Sequence, residues 1–426
     1  MRKNHILSAL AMAAVTFGVT ACADTDAQYS IPDVDAPQFV ASTPEVGAGN
    51  VKRGNVTVTV KYDKRVFFAS QDKDKIEVSG GALTNAIVYG TDSLLTMTLN
   101  VPNRGQNVTI TVPEGVVTNS QGKPAASVNV NFTTTDLDKT PVMATSASAK
   151  ALYNYLLENV DNKIISGMMA NVAWNQDCAD KVNEWTGKYP AINGFDYLHM
   201  AASKAGANWI NYKDITPVKN WYDNNGIVQL MWHWNVPKSE PKTGLDPNKD
   251  YNCYIKTNDN DGTTFDAANA LTEGTWENEV WKDDMKTLKE YLTLLKDANI
   301  PVLWRPFHEA SGKWFWWGKD AESFKKLWIE MYNELKDAGL DNLIWVWTSC
   351  GKDNDWYPGD AYVDVVARDL YGDNESTCAT EYSDLGATYG NKIVTLGECG
   401  YSTYTTSQIA TISKQWNAGA KWSWFM

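Results

Sequence analysis

The chain has 426 residues, of which 43% are hydrophobic and 21% charged, and its formal net charge is −13. This length exceeds one ordinary domain and suits a small domain joined to a larger one. The acidic balance and the lack of a Lys/Arg-rich run exclude nucleic acid as an expected partner, while a neutral substrate is compatible with this charge.

The first 21 residues have the pattern of an export signal. Arg2 and Lys3 form its basic end, and the apolar run after them is too short to remain as a membrane-spanning helix. The segment VTAC, which ends at Cys22, resembles a bacterial lipobox, and this implies cleavage before Cys22 and lipid on its sulfur. We therefore expect an outer-membrane lipoprotein, exposed at the cell surface and held by its N-terminal lipid alone. The alternative is a simple secretory signal, which Ala21 and Ala23 allow, and a periplasmic or secreted protein.

Residues 22–36 are polar and acidic, and we interpret them as a tether. Residues 37–136 show period-two alternation between Gly, Pro, Asn and Asp turns, in runs such as NVTVTV, NVTITV and SVNVNFT, which predicts an all-β module. The phrases STPEVGAGNV, VTVKYDKRV and TVPEGVVTNSQGKP resemble bacterial immunoglobulin-like modules of the Big/SbsA type. The resemblance implies a small β-sandwich that serves as a spacer.

From residue 146 to residue 426, apolar runs alternate with amphipathic stretches. Helices are predicted at 150–160, 280–298 and 321–338, where apolar residues recur at helical spacing. Eight apolar runs are of strand type: 163–167, 190–197, 226–234, 300–309, 343–349, 363–372, 392–401 and 422–426. Such strands, each followed by a helix, predict a (β/α)₈ TIM barrel. The predicted fold class is α/β, with the barrel preceded by the small all-β sandwich, and we expect the chain to end within the eighth barrel strand. The long interval after the third strand is interpreted as a polar loop at the mouth of the cleft.

Two of these strands end on acids. Residues 300–318, IPVLWRPFHEASGKWFWWG, place Arg305, His308 and Glu309 among four tryptophans, and residues 392–401, KIVTLGECGY, place Glu398 at a strand end. The interval between the two glutamates is about three βα units of roughly 30 residues, so a closed barrel would bring both to one face. An acid among aromatic rings is suited to hold a sugar and protonate its glycosidic oxygen. Taken singly, the alternatives are a core strand with an incidental ion pair and a solvated rim glutamate.

The other chemistry-bearing residues also fall at strand ends. Of the four histidines, His5 lies in the export signal, and His199, His233 and His308 all end predicted strands. The sequence contains no GxSxG, HExxH, CxxC or phosphate-binding glycine loop, so we expect neither a metal nor a cofactor. The cysteines other than Cys22 are odd in number, which leaves at least one thiol free.

The motifs WRPFHE, WFWWG, GIVQLMWHWNVP, VDVVARDLYG and TLGECGY resemble those of glycoside hydrolase family 26 over about residues 148–426. The resemblance implies a retaining enzyme in which Glu309 is the acid/base and Glu398 the nucleophile, with carboxyl groups about 5–5.5 Å apart. It implies that Tyr371 donates a hydrogen bond to the nucleophile and that His308 lies beside the acid. The expected substrate-binding residues are His233, Arg305, His308, Trp314, Tyr371 and Trp424.

Most members of that family are endo-β-1,4-mannanases. The first hypothesis is therefore a monomeric enzyme that cleaves internal bonds of mannan, glucomannan or galactomannan by double displacement. A second hypothesis keeps the enzyme and changes the substrate to mixed-linkage β-glucan or β-xylan. A third is a non-catalytic glycan-binding surface lipoprotein, which could lose either glutamate at little cost, whereas this chain has both.

Overall fold

The computed structural model describes residues 32–90, 92–170, 174–241, 243–402 and 405–426. The predicted export signal, Cys22 and most of the tether lie outside these residues. Within the described ranges, ten strands precede the first long helix: β1 Phe39–Thr43, β2 Ala48–Val51, β3 Gly54–Tyr62, β4 Phe67–Phe68, β5 Glu77–Ser79, β6 Ala82–Val88, β7 Leu94–Val101, β8 Asn107–Val112, β9 Val117–Thr118 and β10 Val128–Thr134.

These strands form two four-stranded sheets, in the orders β1-β3-β7-β6 and β2-β10-β8-β5, while β4 pairs with β9. Successive side chains of a strand point to opposite faces, so the alternating valines at Val56, Val58 and Val60 all lie on one face. That face shares a core with Val108 and Ile110 of the other sheet. We call residues 39–134 the amino-terminal module.

The described residues after the module contain ten further strands: β11 Ile165–Met169, β12 Ile192–Asp196, β13 Ile227–Trp232, β14 Val236–Pro237, β15 Tyr251–Asn252, β16 Val302–Pro306, β17 Leu343–Ser349, β18 Val365–Tyr371, β19 Ile393–Gly400 and β20 Trp424–Phe425. The α-helices are α1 Ala147–Asn159, α2 Asp177–Thr186, α3 Met200–Lys204, α4 Thr216–Asp223, α5 Ala267–Ala270, α6 Trp276–Asp297, α7 Ala321–Asp337, α8 Glu375–Thr388 and α9 Ile412–Asn417. Across the described ranges, no helix has the length and apolar character needed to cross a bilayer.

All of these strands except β14 and β15 close into one parallel barrel, in the order β11-β12-β13-β16-β17-β18-β19-β20. The eight predicted barrel strands are thus confirmed. Along β16, Leu303 belongs to the cluster inside the barrel, whereas Trp304 belongs to the larger cluster that includes residues of the surrounding helices. α1 closes the amino-terminal end, because Leu152 and Leu156 belong to the interior cluster. The carboxyl ends of the strands remain open for a site.

The amino-terminal module is bonded to the closed end of the barrel. Arg104 of the module donates to Gly390 O at 2.7 Å and lies 3.5 Å from Asp161. In the segment that leads to α1, the Asp138 carboxylate accepts from Lys392 Nζ at 2.6 Å. Gly390 and Lys392 precede β19, and Asp161 follows α1. These contacts place the module opposite the carboxyl ends of the strands.

A long insertion lies between β13 and α6, at the open end. Its two short strands, β14 and β15, pair antiparallel. Beyond them, Ile255 N donates to Trp314 O at 2.9 Å, and Trp316 N donates to Cys253 O at 3.0 Å. The insertion therefore supports the loop that carries Trp314, as expected for a segment at the mouth of the cleft.

Candidate active site

Glu309 lies in a tight loop that follows β16. The backbone is left-handed at Phe307, Glu309 and Lys313, with φ values of 48°, 55° and 65°, a region that residues other than glycine rarely occupy. The buried Trp317 indole donates to His308 O at 2.9 Å. Packing of this ring helps to hold the loop in a conformation that its residues would not favour alone.

Glu398 lies on β19, where Arg305 of β16 reaches it across the barrel. The completely buried Arg305 donates from Nη1 to Glu398 Oε1 at 2.7 Å and from Nε to Thr348 Oγ1 at 2.9 Å. The Tyr371 hydroxyl donates to Glu398 Oε2 at 2.6 Å. Both carboxylate oxygens of Glu398 thus accept a hydrogen bond, which favours the ionised form.

A third carboxylate, that of Asp369, completes the cluster. It pairs with Arg305 Nη2, and one oxygen each from Glu309, Asp369 and Glu398 lie within 4.8 Å of one another. This spacing is close to the roughly 5–5.5 Å of retaining glycosidases and shorter than the roughly 6.5–9.5 Å of inverting ones. Such a cluster has the spacing of a metal site, yet Arg305 binds both Asp369 and Glu398, so the chain itself supplies a positive charge.

The pKa values of the two glutamates shift in opposite directions. For Glu309, burial is the largest cause and the charge of Glu398 the next, and together they raise its pKa. Burial acts on Glu398 in the same sense, but the charge of Arg305 and the hydrogen bond from Tyr371 outweigh it and lower the pKa. The site can therefore hold a protonated acid beside an ionised carboxylate.

A bulge in β19 makes room for this network. The pairing of β18 with β19 shifts by one residue between Arg368 and Asp369, which leaves Gly397 as the extra residue. A Cβ on Gly397 would lie 2.7 Å from Asp369 Oδ1 and 3.1 Å from Arg305 Nε. The glycine that precedes Glu398 is needed because the other side chains occupy this space.

His233 and His308 lie side by side, with ring centroids 4.2 Å apart. Burial lowers the pKa of His233, but pairing of its Nδ1 with Asp196 has the opposite effect and leaves the pKa raised. His308 Nε2 lies 3.6 Å from Glu398 Oε1, and burial holds the pKa of His308 well below its usual range. Burial therefore favours the neutral form of His308, whereas the pairing with Asp196 favours the protonated form of His233.

Trp314 lies in the loop after β16 that carries Glu309, which we call the acid loop, and this tryptophan reaches solvent. Its side chain is 42% exposed, and its Nε1 donates to Glu309 Oε2 at 3.0 Å. The neighbouring Trp304, Trp316 and Trp317 are completely buried. They pack the core, which corrects the expectation that all four tryptophans of this stretch frame a sugar.

The structure brings together Glu309, Glu398, His233, Arg305, His308, Trp314 and Tyr371 at the open end of the barrel, but it separates Trp424 from them. Trp424 has no exposed surface and packs inside the barrel with Val346 and Ala367. It has no face open to a sugar ring, so a direct contact with substrate is not supported. The reason is its depth in the barrel, which an apolar run alone does not reveal.

Two aspartates belong to the site although they were not among the predicted site residues. Asp196 pairs with His233, and Asp369 pairs with Arg305. Asp196 is buried and ends β12, whereas the Asp369 side chain is 3% exposed and lies two residues before the end of β18. A buried acid needs a partner, so this position beside predicted cationic residues is the signal that identifies them.

The model of glycosyl hydrolase family 26 matches residues 142–426. A mannan endo-1,4-β-mannosidase of Thermothelomyces thermophilus is 36% identical over 242 residues, which is 56% of this chain and 47% of that protein. Mannan endo-1,4-β-mannosidase B of Piromyces sp. is 33% identical over 288 residues, which is 65% of this chain and 46% of that protein. The chain thus spans about half the length of these curated relatives.

Solved structures show the same relationship. The family 26 domain of an endo-β-mannanase/endo-β-glucanase from Prevotella bryantii has 45% sequence identity and a TM-score of 0.62, covering 67% of this chain and 91% of that one. A β-mannanase from a symbiotic protist of the termite Reticulitermes speratus, solved with a gluco-manno-oligosaccharide, has 33% identity and a TM-score of 0.57, covering 68% and 87%.

Proposed function

This chain belongs to glycosyl hydrolase family 26, and from that membership we propose that it is a retaining endo-β-1,4-mannanase. The observation that carries the proposal is the pair Glu309 and Glu398, with oxygens within 4.8 Å of each other and pKa values shifted in opposite directions. The substrates are mannan, glucomannan and galactomannan. Relatives named mannan endo-1,4-β-mannosidases support this choice.

In the first step the Glu398 carboxylate attacks the anomeric carbon, and Glu309 gives its proton to the leaving glycosidic oxygen. The product is a glycosyl ester on Glu398. Its formation removes the negative charge that helps to raise the pKa of Glu309, so that pKa falls. Glu309 therefore becomes a base at the moment when a base is needed.

In the second step Glu309 takes a proton from water, and the water oxygen attacks the same anomeric carbon from the face that the leaving group has vacated. The Glu398 carboxylate leaves. Arg305 and Tyr371 donate to its two oxygens, at 2.7 and 2.6 Å in the free enzyme, and stabilise the returning charge. Two displacements at one carbon give net retention of configuration. Beside these groups, His233 and Trp314 line the subsite of the sugar that is cleaved.

The test uses a dinitrophenyl mannobioside, whose leaving group needs no proton. Glu309→Ala should abolish hydrolysis of mannan, yet release a burst of phenol from this compound and then stall for want of a base. Added azide needs no base and should restore turnover as a β-glycosyl azide. Glu398→Ala should give no burst. Glu330→Ala, an exposed glutamate of α7, is the matched control and should behave as the parent enzyme.

If Glu398→Ala, and not Glu309→Ala, shows the burst of phenol and the rescue by azide, then Glu309 is the nucleophile and Glu398 the acid/base. A side-by-side assay on mannan, glucomannan, galactomannan, lichenan and xylan tests the substrate class. Preference for lichenan or xylan would keep the mechanism and reject the mannanase assignment. If the protein releases no new reducing ends from any of these polysaccharides, the hypothesis of a glycan-binding lipoprotein is favoured.

We also propose that the amino-terminal module is an immunoglobulin-like spacer and that Cys22 carries lipid, which makes the protein a monomeric surface lipoprotein of the outer membrane. The bonding of Arg104 to Gly390, at the closed end of the barrel, supports this arrangement. It directs the cleft away from the end of the barrel to which the chain is tethered. We expect the parent to incorporate labelled palmitate and Cys22→Ser not to do so. We also expect added protease to degrade the protein on intact cells. Release into the medium without label would show a secreted protein.

A further inference from the structure

A second concavity lies at the amino-terminal end of the barrel, away from Glu309 and Glu398. Its volume is about 470 Å³, within the range of ligand sites. Residues just before β12 and β13 line it, among them Gly226. None of the described residues of the amino-terminal module lines it, and the contact that the module makes through Arg104 is with Gly390, before β19.

The lining combines amide groups with aromatic rings. Gln176, Asn224 and Asn225 supply the amides. Gln176 Nε2 donates to a backbone carbonyl at 2.6 Å and Asn224 Nδ2 to another at 2.8 Å, which leaves their side-chain oxygens as acceptors. Asn225 is exposed and its backbone is left-handed, with φ of 64°. Amides can both donate to and accept from hydroxyl groups.

The aromatic part is Tyr189, whose side chain is 53% exposed. It meets Trp221 edge-on, with centroids 6.0 Å apart and planes at 79°. Trp221 is held by a bond from its Nε1 to Ile227 O at 3.0 Å and by Gly226, where a Cβ would lie 2.3 Å from that nitrogen. Tyr189 thus rests on a rigid support, and Trp185, on the same segment, is 79% exposed.

Charge identifies the class of ligand. Among the residues that the structure describes, none of those that line this concavity has a charged side chain, although the chain as a whole carries a net charge of −13. The acid that interacts with the Tyr189 hydroxyl is Asp180, whose charge would repel an anionic ligand. A neutral ligand with many hydroxyl groups and apolar C–H faces matches the amides and the tyrosine ring.

We propose that this concavity binds pyranose units of a β-1,4-mannan chain, as a second and non-catalytic site that retains the polysaccharide on the enzyme. The identity of the sugar rests on the proposed function, whereas the neutral polyhydroxylated class rests on the lining alone. A long chain can occupy this site and the cleft, but a short oligosaccharide occupies only one of them. Loss of the second site should therefore affect polymer and not oligosaccharide.

The experiment compares Tyr189→Ala and Asn225→Gly with the parent; glycine at position 225 removes the amide and accepts the left-handed backbone. The control is Tyr89→Ala, because Tyr89 is 63% exposed and lies in the amino-terminal module. Binding to insoluble mannan is measured by depletion in a Glu398→Ala background, so that the polymer stays intact. Hydrolysis of insoluble mannan and of mannotetraose is measured in the active enzymes.

We expect Tyr189→Ala to bind insoluble mannan about tenfold more weakly, the effect of losing one aromatic contact. Asn225→Gly should shift binding in the same direction. Both should hydrolyse mannan more slowly, with kcat/KM on mannotetraose unchanged, and Tyr89→Ala should match the parent. If both variants bind mannan as tightly as the parent, the second site is refuted. It is also refuted if hydrolysis of mannotetraose is slowed as much as hydrolysis of mannan. Failure of the parent itself to hydrolyse mannotetraose overturns only the proposed mannanase activity.

Discussion

Replacement of Tyr371 by phenylalanine removes one hydroxyl and tests how Glu398 is kept ionised. The hydroxyl donates to Glu398 Oε2 at 2.6 Å, and a hydrogen bond to a charged group contributes about 1.5–3 kcal/mol. Because the Tyr371 side chain is 45% exposed, water competes for the carboxylate, and we take the lower end, about 1.5 kcal/mol. This equals about one pKa unit. The bond favours the ionised form, so its loss should raise the pKa of Glu398 by that amount.

The assay is the pH dependence of kcat/KM on mannotetraose. In the proposed mechanism its acid limb reports deprotonation of Glu398, and its basic limb reports deprotonation of Glu309. Tyr371→Phe should move the acid limb upward by about one unit and leave the basic limb in place. The matched variant is Trp314→Phe, which removes the indole donor to Glu309 Oε2 at 3.0 Å. That bond favours ionised Glu309, so its loss should move the basic limb upward and leave the acid limb in place.

If the acid limb of Tyr371→Phe stays at the same pH or moves to lower pH, the Tyr371 hydroxyl does not keep Glu398 ionised. The same conclusion follows if Tyr371→Phe and Trp314→Phe move the same limb. Either result would mean that the two hydrogen bonds do not act on separate carboxyl groups.

Other predictions follow from packing. Gly397→Ala places a Cβ 2.7 Å from Asp369 Oδ1 and should destabilise the protein by about 1–3 kcal/mol and lower kcat. In the control Gly386→Ala the nearest atom to the new Cβ is 3.6 Å away, so calorimetry should show no such loss of stability. Equal losses in the two variants would contradict this explanation. Arg104→Ala removes the 2.7 Å bond to Gly390 O and should increase the radius of gyration in solution without changing kcat on mannotetraose; an unchanged radius would show that other contacts hold the module. Deletion of residues 37–136 should leave turnover of mannotetraose unchanged, since the module contacts the closed end; a large loss in a folded protein would show that it shapes the cleft.

The barrel was predictable because its strands are apolar on both faces and recur at regular intervals. The predicted run 343–349 coincides with β17, Leu343–Ser349. The run 300–309 was predicted three residues too long at its carboxyl end, because β16 ends at Pro306. Beyond that point Phe307 and Glu309 take left-handed backbone conformations, and nothing in the composition of the run signals this change.

Glu309 and Glu398 could be proposed as catalytic from the sequence because each lies at the end of a predicted apolar run, whereas the depth and exposure of the aromatic residues could not be predicted. Trp314 and Trp316 are two residues apart, yet the first is 42% exposed and the second is completely buried. Trp424 lies below the carboxylates, inside the barrel. These differences depend on the turn after β16 and on how the strands are staggered, which are properties of the closed barrel and not of any one segment.

The left-handed residues of the acid loop limit how this protein can be adapted to heat. Each such residue costs about 1–3 kcal/mol. Glycine would relieve that cost at the exposed Lys313, whereas at Phe307 it would also remove a buried ring and cost more than it gains. A selection for thermal tolerance alone would therefore favour glycine at position 313, and with it greater freedom for Glu309. A selection that also demands turnover should retain the costly residues and place its stabilising substitutions elsewhere, for example in the amino-terminal module.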